Sequence, residues 1–467
     1  MLYRALRRVA RIALRWYYAD LVVQGREQLP RDGPILLVAN HPNALVDAMA
    51  IAVAVPRRVL LTAKATLFEQ PVLAILLRAV GVVPLRRAKD ESAREVGAAP
   101  SAARNVDAFQ MVTASLAAGS AVLIFPEGIS HDAPALAPLR TGAARMALLA
   151  RASGVTRLRI IAVGLVYEEK ERPRSRVLVR IGEPLDVDAW LGAGDDQAAA
   201  LTVEIDARLR RVTLNFASEV RARHAVQLAR TLDAIASEGV PPLDHPRALA
   251  PEAELARRIE IATDALAAAP ESVVRQADAF ISAAESFVGR LAERGVSVSE
   301  LQLSPRTRHG AWFALRESLL LVLALPVALI DRFAHDLPVR FARALAQRSL
   351  AHDPSRDQPA MRMILLGAVA LVAWYGILGI MLGHWLGARV ALVALVTMAL
   401  SAGAEPALRD RVSRAWRRAR TYLALRADPA LRASALTEAN ALLAHAQAVE
   451  RALIDEALDS RPVPVTH

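Results

Sequence analysis

The sequence predicts an α/β domain with a largely parallel sheet flanked by helices, followed by an all-α region that carries membrane helices. Three observations lead there. From Gly33 to about Val187, short β-branched runs alternate with helical stretches. From about Asp195 to Leu303 the strand signal disappears and helical periodicity replaces it. Beyond that lie two apolar regions, the second flanked on both sides by arginines.

Taken in chain order, the first element is a helix with Leu2, Leu6, Val9, Ala13 and Trp16 in one stripe and Arg4, Arg7, Arg8, Arg11 and Arg15 largely opposite. It either packs on its own domain or lies on an anionic bilayer. The arginines leave no clean apolar core for a secretory signal. Residues 1–28 are therefore expected to form a membrane-associating amphipathic segment. Strands are expected at Ile35–Ala39, Val59–Thr62, Val82–Leu85, Ala121–Phe125, Arg159–Val166 and Arg176–Ile181. Helices are expected at Ala44–Val55, Ala103–Ala118 and Gly142–Ala152. Together these fill a domain spanning 29–193.

Ile205, Leu209, Val212, Phe216 and Val220 keep a helical period, broken at Pro241, Pro242 and Pro246, and more helix follows from Pro251 to about Val296. This helical appendix, 194–310, shows no sign of chemistry. In the membrane region, 311–405, Ser318–Ile330 is an apolar run of about 20 Å as a helix. It is short against a hydrocarbon core of about 30 Å and contains Pro326, and with arginine-rich cytoplasmic flanks further on a full span would put the N-terminal domain outside, so it reads as re-entrant or interfacial. Met363–Gly403, interrupted by His384 and Arg389, reads as a transmembrane hairpin. Arginines before it (Arg340, Arg343, Arg348, Arg356, Arg362) and after it (Arg409, Arg411, Arg414, Arg417, Arg418) put both flanks on the cytoplasmic side. Residues 406–467 read as amphipathic helices.

Composition narrows the chemistry. The chain of 467 residues is 54% apolar and carries a formal charge of +11, almost all from arginine, since Lys64, Lys89 and Lys170 are its lysines. A basic balance favours phosphates and acidic lipid surfaces. There is no cysteine, which excludes disulfides, thiolate metal sites and a cysteine nucleophile. With aromatics at 4% and the basic residues set around apolar helices, a nucleic-acid partner is not expected.

Three stretches follow the ends of expected strands. In "VANHPNALVDAMA", His41 and Asp47 have five residues between them. Ten histidines in this chain would produce about one such pair by chance, so spacing alone decides nothing. Pro42 disfavours helical geometry at His41, and Asp47 falls in the first turns of the next helix. A bent loop is needed for them to meet, because six positions on one helix are about 240° apart. A carboxylate there would orient the imidazole and stabilise its protonated form; the plain alternative is a surface histidine and a helix-start aspartate. In "GVVPLRRAK", Arg86 and Arg87 stand just past a strand end, where a guanidinium can grip a phosphate, or where a basic loop is simply solvated. In "VLIFPEGISHD", Glu127 follows a buried run and Pro126 at a Gly128 turn, suited to accept hydroxyl hydrogen bonds beside an approachable backbone. His131 and Asp132 have no companions at metal-ligand spacing, so no metal is expected. Ligands of open parallel sheets bind at this edge of the strands. If the strands are neighbours, His41, the arginines and Glu127 share one cleft.

With these residues in view, the chain resembles the glycerophosphate acyltransferase superfamily, which includes the lysophosphatidate acyltransferases. Four blocks match in order: "NHPNALVD", "GVVPLRR", "FPEGISHDAPALAPLRTGAARMAL" and "IIAVGLVY". The resemblance covers about Leu29 to Leu185. Two features depart from the usual pattern: five rather than four residues separate His41 from Asp47, and Ile129-Ser130-His131 replaces the usual Thr-Arg-Ser. Both variants resemble the glycerol-3-phosphate and dihydroxyacetone-phosphate acyltransferase branch best known from fungi.

The resemblance implies an enzyme, a membrane-bound O-acyltransferase of phospholipid synthesis. Its donor would be acyl-CoA or acyl-carrier protein and its acceptor glycerol 3-phosphate or dihydroxyacetone phosphate, with lysophosphatidate as the alternative. It implies catalysis by His41 supported by Asp47. Acceptor binding would fall to Arg87 and Glu127-Gly128, with Arg86, Phe125, Pro126, Ser130 and Arg140 as further contacts. Neither a cofactor nor a metal is implied. Anionic membrane lipids are the expected surroundings, in a bacterial inner membrane with the catalytic domain facing the cytoplasm. An inactive membrane scaffold fits less well, because His41, Asp47 and Glu127 are intact. A lipid or thioester hydrolase would be betrayed by fatty acid release without an acceptor.

Overall fold

The computed structural model describes residues 2–69, 74, 77–78, 81–85, 106–190, 195–237, 239–243, 247–304, 306–351 and 359–459. Its contacts divide into two units, residues 1–215 with 341–370, and residues 216–340 with 371–467.

The first unit is built on the β-branched runs. They form β1 (Asp20–Gln24), β2 (Ile35–Ala39), β3 (Val59–Lys64), β4 (Val83–Leu85), β5 (Ala121–Ile124), β6 (Arg159–Tyr167), β7 (Arg176–Ile181) and β8 (Leu185–Asp186). They pair in the order β1-β7-β6-β2-β5-β3-β4, with β8 beside β6. All pairings are parallel except β6 with β7 and with β8. The six expected strands are all present. β1 and β8 were not legible, because a strand of four half-buried residues and one exposed one, and a two-residue bridge, give no periodic signal.

Strands β2 and β5 are buried along their whole length, as parallel strands covered on both faces must be. Leu36, Val38, Val122, Ile124, Ile160 and Ala162 join a core with α3 (Val106–Ala117), α4 (Gly142–Ala152) and α5 (Gln197–Val212). Of the helix expected at Ala103–Ala118, residues 103–105 lie outside the described residues. On the other side, α2 (Ala44–Ala54) packs against β7 and against α1 (Leu2–Tyr17).

Helix α5 moves the domain edge beyond 193. Its Leu201, Ile205, Leu209 and Val212 are buried in the sheet's core. Gly164 of β6 makes this possible, since a Cβ there would lie 2.0 Å from the Val212 carbonyl oxygen.

Helix α1 packs by a face other than the expected stripe. Leu14 and Tyr17 are buried, Arg7 donates to the carbonyls of Val53 and Val55 at the end of α2 (3.2 and 2.6 Å), and the Tyr3 hydroxyl accepts from the Val59 amide (3.1 Å). Leu2, Val9 and Ile12 remain exposed beside the arginine face.

The second unit is all helix. It contains α6 (Glu219–Ala236), α7 (Leu249–Leu266), α8 (Glu271–Glu293), the first part of α9 (Thr307–Ala351), most of α10 (Pro359–Leu386), α11 (Ala388–Ser401), α12 (Ala404–Ala427) and α13 (Pro429–Asp459). Phe280, Phe287 and Leu291 of α8 share a core with Leu442 and Leu453 of α13. The appendix and the C-terminal helices, separate in the sequence reading, therefore form one bundle.

The short run Ser318–Ile330 lies within a longer element. It is a stretch of α9, a helix of 45 residues that continues through Pro326 and Pro338. The length argument against a crossing therefore falls. Thr307–Arg348, Arg362–Leu386 and Ala388–Ala427 are long and apolar enough to cross a membrane, and only 6%, 17% and 11% of their most apolar windows are buried in the protein. Apolar helices this bare need an apolar solvent, and the protein is membrane-associated on that ground.

Candidate active site

The end of β2 is held by Asn40. Its side chain extends the sheet pairing, donating to the Leu165 carbonyl (3.0 Å) and accepting from the Leu165 amide (2.7 Å). His41 follows outside any helix, and α2 starts only at Ala44. The bend between them closes through Ala44, which adopts φ 45° and whose amide donates to the Ser130 hydroxyl (3.0 Å). A left-handed alanine costs about 1–2 kcal/mol, and the bend places Asp47 in the first turn of α2, facing back toward His41.

His41 Nδ1 lies 2.9 Å from Asp47 Oδ2. A carboxylate only accepts, so Nδ1 carries the proton and Nε2 keeps its lone pair. Among the described residues Nε2 has no hydrogen-bond partner. Phe125, at the end of β5, stacks on the imidazole at 3.8 Å with planes 12° apart. The His41 side chain is 12% exposed, which leaves one edge of the ring open.

Asp47 is fully buried and its second-rank partners were not foreseen. Oδ2 also accepts the Asn43 amide (2.7 Å), and Oδ1 accepts the Tyr167 hydroxyl from the end of β6 (2.6 Å). Tyr18, just past α1, accepts from the Asn43 side chain (2.9 Å) and lies 5.8 Å from the Tyr167 ring. Burial, then the Asp47 charge, pushes Tyr167 well above the ordinary tyrosine range; burial does the same for Tyr18. Both stay neutral, so Tyr167 remains a donor. Tyr167 closes the quoted block "IIAVGLVY", but nothing in its spacing pointed to Asp47.

Glu127 behaves differently from the expectation that it meets substrate hydroxyls. It is 2% exposed, and both its oxygens are used internally. Oε1 accepts the His41 amide (2.8 Å); Oε2 accepts the Ala137 amide (2.8 Å) and pairs with the His131 ring. Ser130 is likewise engaged with the Ala44 amide, and the His131 amide donates to the His41 carbonyl (3.3 Å). Glu127 and Ser130 thus stitch the loop after β5 to the loop after β2. Lys170 adds a further stitch, donating to the Pro42 carbonyl (2.8 Å) and pairing with Asp132.

Pro126 is buried and its carbonyl accepts the Arg140 amide (2.9 Å). Gly128 adopts φ 71°, and the Arg140 side chain crosses directly over it, so that a Cβ would sit 3.0 Å from Arg140 Cδ and Nε. A Gly128→Ala variant should lose about 1–2 kcal/mol and displace Arg140, which a thermal melt with a crystal structure would register. Arg140 is exposed and has no ion pair among the described residues.

Arg86 and Arg87 lie outside the described residues. β4, which precedes them, ends at Leu85 two strands from β5, about 10 Å across the sheet. The structure thus brings together His41, Asp47, Phe125, Pro126, Glu127, Gly128, Ser130 and Arg140 at one sheet edge. No group of three or more metal-ligating side chains occurs among the described residues.

The family model described as Acyltransferase matches residues 20–166, from β1 almost to the end of β6. That match takes in about a third of the chain and includes the His41 and Glu127 loops. The chain is 42% identical over 89 residues to glycerol-3-phosphate O-acyltransferase 2 of Saccharomyces cerevisiae, covering 19% of this chain and 12% of that protein. It is 23% identical over 254 residues to an uncharacterized acyltransferase of Schizosaccharomyces pombe, covering 38% of each. The chain therefore spans well under half the length of either curated relative. Among solved structures it is similar to the 1-acyl-sn-glycerophosphate (LPA) acyltransferase PlsC of Thermotoga maritima, with 20% identity, a TM-score of 0.35, and coverage of 45% of this chain and 78% of that one. That overlap is too loose to inform the site.

Proposed function

We propose that the protein is a membrane-bound O-acyltransferase that moves a fatty acyl group from a thioester donor, acyl-CoA or acyl-carrier protein, to a hydroxyl of glycerol 3-phosphate or dihydroxyacetone phosphate. The observation that carries this reading is the His41–Asp47 pair, with Nδ1 committed to the carboxylate and Nε2 open. The likeness to a glycerol-3-phosphate O-acyltransferase supports the choice of acceptor.

In this mechanism Nε2 takes the proton of the acceptor hydroxyl as its oxygen attacks the thioester carbonyl. The tetrahedral intermediate collapses, the carbon–sulfur bond breaks, and the imidazolium returns the proton to the departing thiolate. Asp47 stabilises the imidazolium in between. Phe125 restrains the ring. Arg140, Arg86 and Arg87 meet the acceptor phosphate. The deciding experiment is an assay of purified protein with labelled acyl-CoA and, in turn, glycerol 3-phosphate, dihydroxyacetone phosphate and lysophosphatidate. Transfer to lysophosphatidate alone would replace the proposed acceptor, and transfer to none would remove the reading.

Two results should follow. Arg140→Ala should raise KM for glycerol 3-phosphate roughly tenfold or more, the effect of losing a hydrogen bond to a charged group, with kcat little changed. Tyr167→Phe should act on Asp47. Without the tyrosine donor Asp47 is fixed by one hydrogen bond fewer and is held less firmly toward His41, so kcat should fall roughly two- to tenfold with the acceptor KM little changed. A purely structural role for Tyr167 would lower the melting temperature and leave kcat in place.

The arginines around α9, α10 and α12 favour a cytoplasmic catalytic domain. The exposed Leu2, Val9 and Ile12 of α1 would then rest on the same leaflet.

A further inference from the structure

Within the second unit, α9 and α12 run antiparallel and meet at three levels. Gly310 of α9 sits against Tyr422 of α12, so closely that a Cβ would lie 2.5 Å from the ring. Glu317 accepts two hydrogen bonds from the Arg411 guanidinium (2.7 and 2.9 Å). Asp331 accepts the Glu405 amide (2.8 Å). Alongside the first two levels a groove of about 710 Å³ opens between the helices.

Its walls are apolar and aromatic: Trp312, Phe313 and Leu321 from α9, Val412, Trp416 and Leu423 from α12. Trp312 and Trp416 are 65% and 72% exposed, unusual for the two largest side chains lining a groove. At the polar end one carboxylate serves two cations, because Glu317 accepts from Arg316 (2.9 Å) as well as from Arg411. Arg418 also lines the groove and pairs with the buried Glu300. α12 as a whole holds seven arginines against Glu405 and Asp410. The groove is thus a trough of apolar and aromatic side chains with Arg316, Arg411 and Arg418 in its lining, beside the apolar face that α9 leaves bare.

We propose that this groove binds one acidic phospholipid from the surrounding bilayer, with an acyl chain along the trough and the phosphate at Arg316 and Arg411. An acyl chain alone would not need the cations, and a soluble anion would not need the tryptophan-rich walls. The two-part chemistry matches a molecule that is apolar at one end and anionic at the other. This site is separate from the proposed catalysis and does not depend on it.

The test uses the full chain, reconstituted in nanodiscs of phosphatidylcholine with a rising fraction of phosphatidylglycerol, then extracted in mild detergent. Lipids retained per chain are counted by native mass spectrometry. Wild type should keep one phosphatidylglycerol with at least a tenfold preference over phosphatidylcholine. Ala419→Phe, which fills the trough, should abolish retention, and Arg316→Gln at the exposed polar end should reduce the preference severalfold. Should Ala419→Phe fail to fold, Arg316→Gln carries the test alone. Equal retention of the two lipids, unchanged preference in Arg316→Gln, or a copurifying polypeptide in place of lipid would overturn the proposal.

Discussion

His41→Ala should leave a folded, membrane-bound protein whose acyl transfer falls by at least roughly a hundredfold, the low end for loss of a general base. The fold is expected to survive because the side chain sits at the sheet edge and contributes one ring stack and one carboxylate bond. The loss should appear in kcat, since the base acts on the proton in flight and not on acceptor affinity. A melt comparable with wild type, together with near-normal turnover, would remove His41 from the mechanism. The companion variant Asp47→Asn should be nearly as damaging. It can no longer stabilise the imidazolium, and with its oxygen kept on the Asn43 amide its NH2 would turn Tyr167 from donor to acceptor.

Glu127→Ala should combine loss of activity with loss of stability. Its carboxylate is the partner of the His41 and Ala137 amides, and removing it leaves two buried donors unsatisfied. At about 1–3 kcal/mol each, the domain should lose roughly 2–6 kcal/mol. His41 would lose the anchor on its backbone amide. Glu127→Gln separates this role from direct substrate contact. A glutamine keeps one accepting oxygen and sets an NH2 against the other amide, so it should melt early and transfer slowly at every acceptor concentration. A residue that only met substrate hydroxyls would instead raise the acceptor KM and leave the melting temperature unchanged. Thermal unfolding and steady-state kinetics on the same preparation distinguish the two.

These variants also show how far sequence reading reaches. The histidine, the aspartate and the Phe-Pro-Glu-Gly turn were legible, because each follows a strand whose β-branched residues announce it. The function of Glu127 was not. A glutamate after a proline and before a glycine looks available to a ligand. Only the crossing of two loops turns it inward, onto amides 86 and 10 positions away. Tyr167 was invisible as a partner of Asp47 for the same reason, being separated from it by 120 positions and joined by the place of β6 beside β2. In the second unit, Ser318–Ile330 looked short because apolar counting stops at charged residues. A helix does not stop there, since its hydrogen bonds run through Asp331 and Arg332 as readily as through leucine.

From the sequence alone come the parallel α/β domain, the acyltransferase blocks, the charged loop ends and the long apolar helices, all properties of residues near one another in the chain. The tertiary structure decided which carboxylate supports the imidazole, which one braces the loops, where the domain ends and what lines the groove between α9 and α12. The physical reason is that strand and helix signals are written in local periodicity, whereas a hydrogen bond between distant residues depends on the order in which the strands pair and on what burial leaves in need of a partner.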